Sequence, residues 1–238
     1  MTATAGHCWG ILPAAGVGLR MGEDRPKQYL QLAGATVLEH SLGALLQCHA
    51  LQTVVVALHC NDERAPDVRA LQQERVLCTQ GGEQRNDSVL AALRALDGIA
   101  AQQDWVLVHD AARPCVQPQD IERLIDAVVK TGCGGLLAEP VMDTVKRADN
   151  SGRVLESIDR SNLWRAQTPQ MFRYGELVAA LEQAAAQGRQ VTDEASAMEM
   201  AGYPVQLIPG SPSNLKITVP ADLPLAQWWL EQRKGGNS

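Results

Sequence analysis

No run of apolar residues in this 238-residue chain approaches the ~20 needed for a membrane-spanning helix. The opening Met1-Thr-Ala-Thr-Ala-Gly-His7 has no basic stretch leading into an apolar one, so no secretory signal is expected. Cations are not in excess: 21 Lys and Arg stand against 27 Asp and Glu, a net charge of −6. That balance speaks against a general binder of nucleic acid or of anionic membranes. The six cysteines, at 8, 48, 60, 78, 115 and 133, contain no C-x-x-C pair and no finger-like spacing. Most fall in predicted strands or helices, where free cysteine behaves as a small buried hydrophobe, and a reduced, cytoplasmic protein is expected. Linkers, repeats and low-complexity tracts are also missing. With 45% apolar residues, 1–238 reads as one domain with a real core.

What is present is an alternation of strand and helix. Strands are expected at Cys8–Leu12, Gln52–His59, Arg75–Thr79, Asp104–His109, Gly134–Ala138 and Val205–Ile208. Helices are expected at Thr36–Cys48, Asp62–Gln72, Asp87–Leu96, Pro118–Lys130, Gly175–Gln187, Asp193–Met200 and from Ala221 to about Arg233. Repeated β-α-β units imply an α/β fold with a mostly parallel sheet. Between Val141 and Ile158 the rhythm breaks. Two short β-like runs flank Asp149-Asn-Ser-Gly152, a strong turn signal, so 141–160 reads as a projecting β-arm. Such an arm is a candidate dimerisation element.

Each polar cluster falls where a strand should end, and ligands of open parallel sheets bind beyond those ends. After the first strand come Pro13, Ala14, Ala15, Gly16, Gly18, Arg20 and Lys27. Glycines there tolerate positive φ and close approach of a ligand, and successive N–H groups can cradle anionic oxygens. Arg20 and Lys27 add full positive charges. Neither familiar phosphate loop matches: Met21 stands where G-x-G-x-x-G needs its third glycine, and no Gly-Lys pair exists for G-x-x-x-x-G-K-[ST]. After the third strand, Gly81 and Gly82 run through Arg85 to Ser88 and a helix start capped by Asn86 or Asp87. After the fourth, Val108-His109-Asp110-Ala-Ala-Arg113-Pro114 sets a carboxylate near a cation. Asp110 is the candidate Mg²⁺ ligand, directly or through water, or else pairs with Arg113 structurally. His109 reads as a packing or hydrogen-bonding group rather than a base. Thr192-Asp-Glu194 is a helix-start signature, with its acids favoured by the helix dipole. Lys216 lies between Asn214 and a β-like Ile-Thr-Val, near a sheet edge.

Taken together, these segments resemble the 2-C-methyl-D-erythritol 4-phosphate cytidylyltransferases. The resemblance rests on Pro13-Ala-Ala-Gly-Val-Gly-Leu-Arg20, Pro26-Lys-Gln-Tyr29, Gly81-Gly82, Arg85, Asp87-Ser88 and Val108-His-Asp-Ala-Ala-Arg-Pro114. It continues in Asp143-Thr-Val-Lys146, Asp159-Arg160, Thr168-Pro-Gln170, Thr192-Asp-Glu194 and Asn214-Leu-Lys-Ile-Thr218. The segments occur in the family's order and span nearly the whole chain. Glu83-Gln84 departs from the acidic pair common after the double glycine.

The resemblance implies a single Rossmann-like nucleotidyltransferase domain acting as a homodimer through the arm. CTP would lie along Pro13, Ala14, Ala15, Gly16 and Gly18, with cytosine near Gly81, Gly82 and Ser88, and Arg85 would also bind the nucleotide. Asp110, Arg113, Thr144, Arg160, Thr168 and Thr192 would bind the polyol phosphate, Arg160 or its neighbours crossing from a partner subunit. Arg20, Lys27, Lys216 and Arg160 would be catalytic, with Mg²⁺ on the triphosphate. The nearest rival is a cytidylyltransferase for another polyol phosphate, such as ribitol 5-phosphate.

Overall fold

The computed structural model describes residues 6–16 and 26–235. From the N-terminus run β1 (Cys8–Pro13), a two-stranded ribbon of β2 (Gln31–Leu32) and β3 (Ala35–Thr36), α1 (Val37–Gln47) and β4 (Leu51–Leu58). Next come β5 (Val76–Gln80), α2 (Arg85–Arg94), β6 (Trp105–Val108), α3 (Pro118–Thr131) and β7 (Gly135–Pro140). The arm consists of β8 (Val145–Ala148) and β9 (Val154–Ile158). It is followed by β10 (Trp164–Arg173), α4 (Tyr174–Ala186), α5 (Glu194–Met200), β11 (Gln206–Pro209) and α6 (Asp222–Gly235). Seven strands form one sheet in the order β11-β7-β10-β6-β1-β4-β5. All neighbours are parallel except β10, which is antiparallel to both β6 and β7.

Successive strand residues point to opposite faces, and here both faces are covered. Leu12, Val54, Val56 and Leu107 pack in one cluster with Leu42 and Leu45 of α1 and Ile121 and Leu124 of α3. Ile11, Val55, Val106 and Val108 pack in another with Val89 and Leu93 of α2, Leu177 of α4 and Met198 of α5. This explains why β4 reads as a continuous apolar run. The helix ends are specified locally. The Thr36 hydroxyl accepts the Glu39 N–H at 3.2 Å while Glu39 takes the Thr36 N–H at 2.8 Å, a reciprocal cap. Pro118 opens α3, and Gly132 closes it at φ 68°, where a side chain would be strained.

Two expectations need correction, and one strand was not expected. Asp62–Gln72 is not a helix but two 3₁₀ turns, Ala65–Asp67 and Arg69–Gln72. The Asp62 carboxylate accepts the N–H groups of Arg64 and Ala65 at 3.1 and 3.2 Å, which favours a local turn over a helix. The second helix begins at Arg85, two residues before Asp87, whose carboxylate reaches back to the Gln84 N–H at 3.1 Å. The antiparallel strand β10 carries no alternating pattern, because Gln167, Thr168, Pro169 and Gln170 interrupt it. Its register against β7 slips there: the five β10 residues from Ala166 to Gln170 stand opposite only three, Leu136 to Ala138, on β7. The result is a bulge containing the cis Thr168–Pro169 peptide. Burial of the cysteines also divides. Cys8, Cys48 and Cys115 are buried, whereas Cys60 and Cys78 are exposed, and all six are free thiols.

The chain steps from β1 to β4 and β5 on one side, then crosses back to β6 on the other. A crevice therefore opens at the carboxyl ends of β1 and β6, as strand-order reversal requires. The β8–β9 arm stands apart from the sheet, with Met142, Val154 and Leu155 well exposed. Among the described residues, no helix is long and apolar enough to cross a membrane.

Candidate active site

A cavity of about 400 Å³ fills the crevice. Pro13, Ala14, Ala15 and Gly16 line it from the end of β1, and Gly82, Arg85 and Ser88 from the β5–α2 turn. Asp110 lines it beyond β6, and Lys27 and Lys216 bring positive charge. Gln28, Glu83 and Thr218, which belong to the quoted segments but were not named as site residues, line it as well. Gly18 and Arg20 lie outside the described residues. Gly16 takes no left-handed φ, and among the described residues nothing stands where its Cβ would be.

Gly81 sits just behind the cavity wall. A Cβ there would come within 2.6 Å of the Ala15 Cβ and 2.8 Å of the Ser88 Oγ, so glycine lets the two turns touch. Backbone bonds hold both turns to β4, from the Ala14 N–H to the Ala57 carbonyl (2.8 Å) and from the Gly81 N–H to the Leu58 carbonyl (2.7 Å). The Ser88 Oγ accepts the Gly82 N–H at 3.1 Å, folding the double glycine onto the first turn of α2.

Asp110 is the hub. Its Oδ1 accepts from the Arg85 Nε at 2.7 Å and its Oδ2 from the Lys216 Nζ at 2.8 Å. Burial opposes its charge, but Arg85, Lys216 and Arg113 outweigh that and hold the carboxyl far below the usual carboxylate range. Arg113 stands behind, its Nε 3.8 Å from Oδ2, beyond hydrogen-bond reach. The expected Asp110–Arg113 pair is thus the longest of three cationic contacts. Arg113 instead donates to the Asn214 carbonyl at 2.7 Å.

The segment carrying Lys216 is irregular backbone, not the β-like edge expected, and it is tied down on both sides. The buried Asn214 amide donates to the Thr168 carbonyl at 2.7 Å, and the Ile217 N–H donates to the Ala112 carbonyl at 2.8 Å. The Lys27 Nζ donates to the Ile217 carbonyl at 3.2 Å, which brings the two lysines to one place from opposite ends of the chain.

Beneath Asp110 lies a closed polar relay. The Arg113 carbonyl can only accept, so the His109 Nε2, 3.1 Å away, carries the proton and Nδ1 accepts from the Thr168 hydroxyl at 3.0 Å. That hydroxyl in turn accepts the Asp110 N–H at 3.0 Å. Burial pushes His109 down to about 4, against the pull of Asp110, so it is neutral and holds rather than titrates near neutrality. Sequence reasoning missed Glu194. It is fully buried at the start of α5, and its two oxygens accept from the Arg85 Nη1 and Nη2 at 2.6 and 3.0 Å. The only sequence signal was an acid at a helix start.

Other expected site residues stay outside. Thr144 and Arg160 are exposed on or beside the arm and do not line the cavity. Thr192 is exposed and bonds the Ser196 hydroxyl at the α5 terminus. Among the described residues, no group of three His, Cys, Asp or Glu is placed to hold a metal. Both Asp110 oxygens already face cations, so the residues do not fit a resident Mg²⁺ cage.

The family model for 2-C-methyl-D-erythritol 4-phosphate cytidylyltransferase matches residues 9–232. The protein of that name from Hahella chejuensis is 48% identical over 224 residues, 94% of this chain and 93% of its own. The one from Ectopseudomonas mendocina is 50% identical over 226 residues, 94% of this chain and 96% of its own. The crystal structure of the Francisella tularensis enzyme superimposes with a TM-score of 0.79 at 35% identity, covering 94% of this chain and 99% of that one.

Proposed function

The chain belongs to the 2-C-methyl-D-erythritol 4-phosphate cytidylyltransferase family, and we propose that the cavity between β1 and β6 is where its transfer takes place. The enzyme transfers the cytidylyl group of CTP to 2-C-methyl-D-erythritol 4-phosphate, giving 4-diphosphocytidyl-2-C-methyl-D-erythritol and pyrophosphate. An acceptor phosphate oxygen forms a bond to the α-phosphorus of CTP while the bond to the bridging oxygen of pyrophosphate breaks. That oxygen is already anionic near pH 7, since the second ionisation of a phosphate monoester falls at about 6. No general base is needed, in keeping with a His109 that is buried and fully bonded. Catalysis is then alignment of two anions and screening of their repulsion.

The observation that carries this reading is the convergence of Lys216 and Lys27 on one cavity wall, with Asp110 anchoring Lys216 at 2.8 Å. In the proposed arrangement the β1 loop and the Gly81–Ser88 turn hold the nucleotide. Lys27, Lys216 and Arg20 bear on the α-phosphate and the departing pyrophosphate. Asp110 meets acceptor hydroxyls from below, supported by Arg113 and Thr168. A Mg²⁺ ion would enter on the triphosphate, held by phosphate oxygens and water rather than a protein cage, and would screen charge there.

We further propose that a second copy of the chain covers the arm and brings Arg160 and Thr144 to the acceptor. Exposed Met142, Val154 and Leu155 support that reading. The continuous sheet supports one domain with an arm, and six free thiols suit a cytoplasmic setting. The test is pyrophosphate release from CTP, UTP, ATP and GTP against methylerythritol phosphate and a panel of polyol phosphates. CTP with methylerythritol phosphate should far exceed every other pair. Equal turnover of ribitol 5-phosphate would overturn the acceptor assignment.

A further inference from the structure

Glu194 touches neither the cavity nor solvent, yet it bonds Arg85, which lines the site. A guanidinium presents two edges to a carboxylate: its end, through Nη1 and Nη2, or its side, through Nε and one Nη. Arg85 gives its end to Glu194, at 2.6 and 3.0 Å, and in that orientation bonds Asp110 through Nε, at 2.7 Å. Asp110 therefore has Oδ2 left for Lys216. Glu194 is itself fixed, because α5 is docked on β10 by one side chain. The Gln170 Oε1 accepts the Ala195 N–H at 2.8 Å, and its Nε2 donates to the Asp193 carboxylate at 2.9 Å.

We propose that Glu194 is a positioning residue for the transfer: by bonding both Nη atoms, it fixes the orientation of the Arg85 guanidinium so that only Nε meets Asp110, and so keeps Lys216 on the other Asp110 oxygen. Replacing the Glu194 carboxylate with an amide leaves one acceptor where Arg85 needs two. The deprived Nη then turns toward Asp110 and makes the side-on, two-bond pair. Oδ2 is drawn from Lys216, and the ammonium loses its place beside the reacting phosphates. The inference rests on the proposed roles of Asp110 and Lys216.

The experiment compares steady-state kinetics of the full chain with Glu194→Gln, Arg85→Gln, the double variant and Lys216→Ala, each checked by thermal melting. Glu194→Gln should lower kcat by about 10–100-fold, the scale of a small misplacement in a site, and raise the acceptor KM. The CTP KM should move by less than about threefold, since Glu194 meets the nucleotide turn at the Arg85 side chain rather than at the backbone proposed to cradle CTP. Because Glu194 acts through Arg85, the double variant should be no worse than Arg85→Gln alone, within about twofold. Losses that multiply in the double variant would overturn the proposal, as would near-normal turnover by Glu194→Gln. Should Glu194→Gln fail to fold, Arg85→Gln against the double variant still decides. An active Lys216→Ala would sink the site assignment itself. An inactive Lys216→Ala beside a normal Glu194→Gln would sink only the role of Glu194.

Discussion

His109 shows how one side chain serves the site without touching substrate. Its two ring nitrogens bridge the Arg113 carbonyl and the Thr168 hydroxyl, and burial holds it neutral. In the folded chain it gains a proton only near pH 4, whereas unfolded it does so near 6.5. As pH falls between those values the unfolded state binds the proton first, so stability is lost on acidification. The span corresponds to about 3 kcal/mol at most. Chemical denaturation from pH 7 to 4 should show this loss in the unaltered chain and a flatter profile in His109→Gln; parallel profiles would contradict the assignment. Lysine chemistry makes a second prediction at this scale. Lys27→Ala and Lys216→Ala should each lower kcat severely, by about 10³-fold or more if they act as clamps on transferring phosphoryl charge, with melting little changed. Near-normal turnover in both would remove them from the mechanism. Residue types of this kind were legible as a set in the sequence. Glu194 was not, because a buried acid and an N-terminal helix acid look the same in one dimension.

Elements explain how those side chains are delivered. The β1 and β5 turns meet only because Gly81 has no side chain, so Gly81→Ala should force Ala15 and Ser88 apart. CTP binding, measured calorimetrically, should weaken, and the fold should lose about 1–3 kcal/mol through overpacking. Unchanged CTP affinity would mean the contact is incidental to the site. The arm carries the other prediction. Val154 and Leu155 are each 61% exposed on β9, an apolar pair that a second copy would cover. Leu155→Asp should shift the assembly toward monomer in sedimentation analysis, and the acceptor KM should rise. A dimer that persists with normal kinetics would refute that surface. Regular elements such as β4 and α3 were readable because each has a clean period and local stop signals. β10 was not, since a Pro-containing bulge erased its alternation, and that bulge is what sets Thr168 under the Asp110 N–H.

At the scale of the whole molecule, the net charge of −6 would repel CTP, so attraction must come from a local concentration of cations. The KM for CTP should therefore rise with ionic strength more than the melting temperature changes. If the acceptor half of the site crosses between subunits, mixing inactive Arg20→Ala and Arg160→Ala chains should restore part of the activity. No recovery, despite demonstrated subunit exchange, would show each site to be built within one chain. The sequence by itself determined the layered α/β architecture, the arm and the inventory of charged groups, because periodicity, turn chemistry and motif order are properties of neighbours along the chain. Tertiary structure alone decided which charges meet. Arg85, Asp110, Glu194 and Lys216 are far apart in sequence, and only the reversal of strand order beside β1, with β10 inserted backwards, brings them into one bonded network.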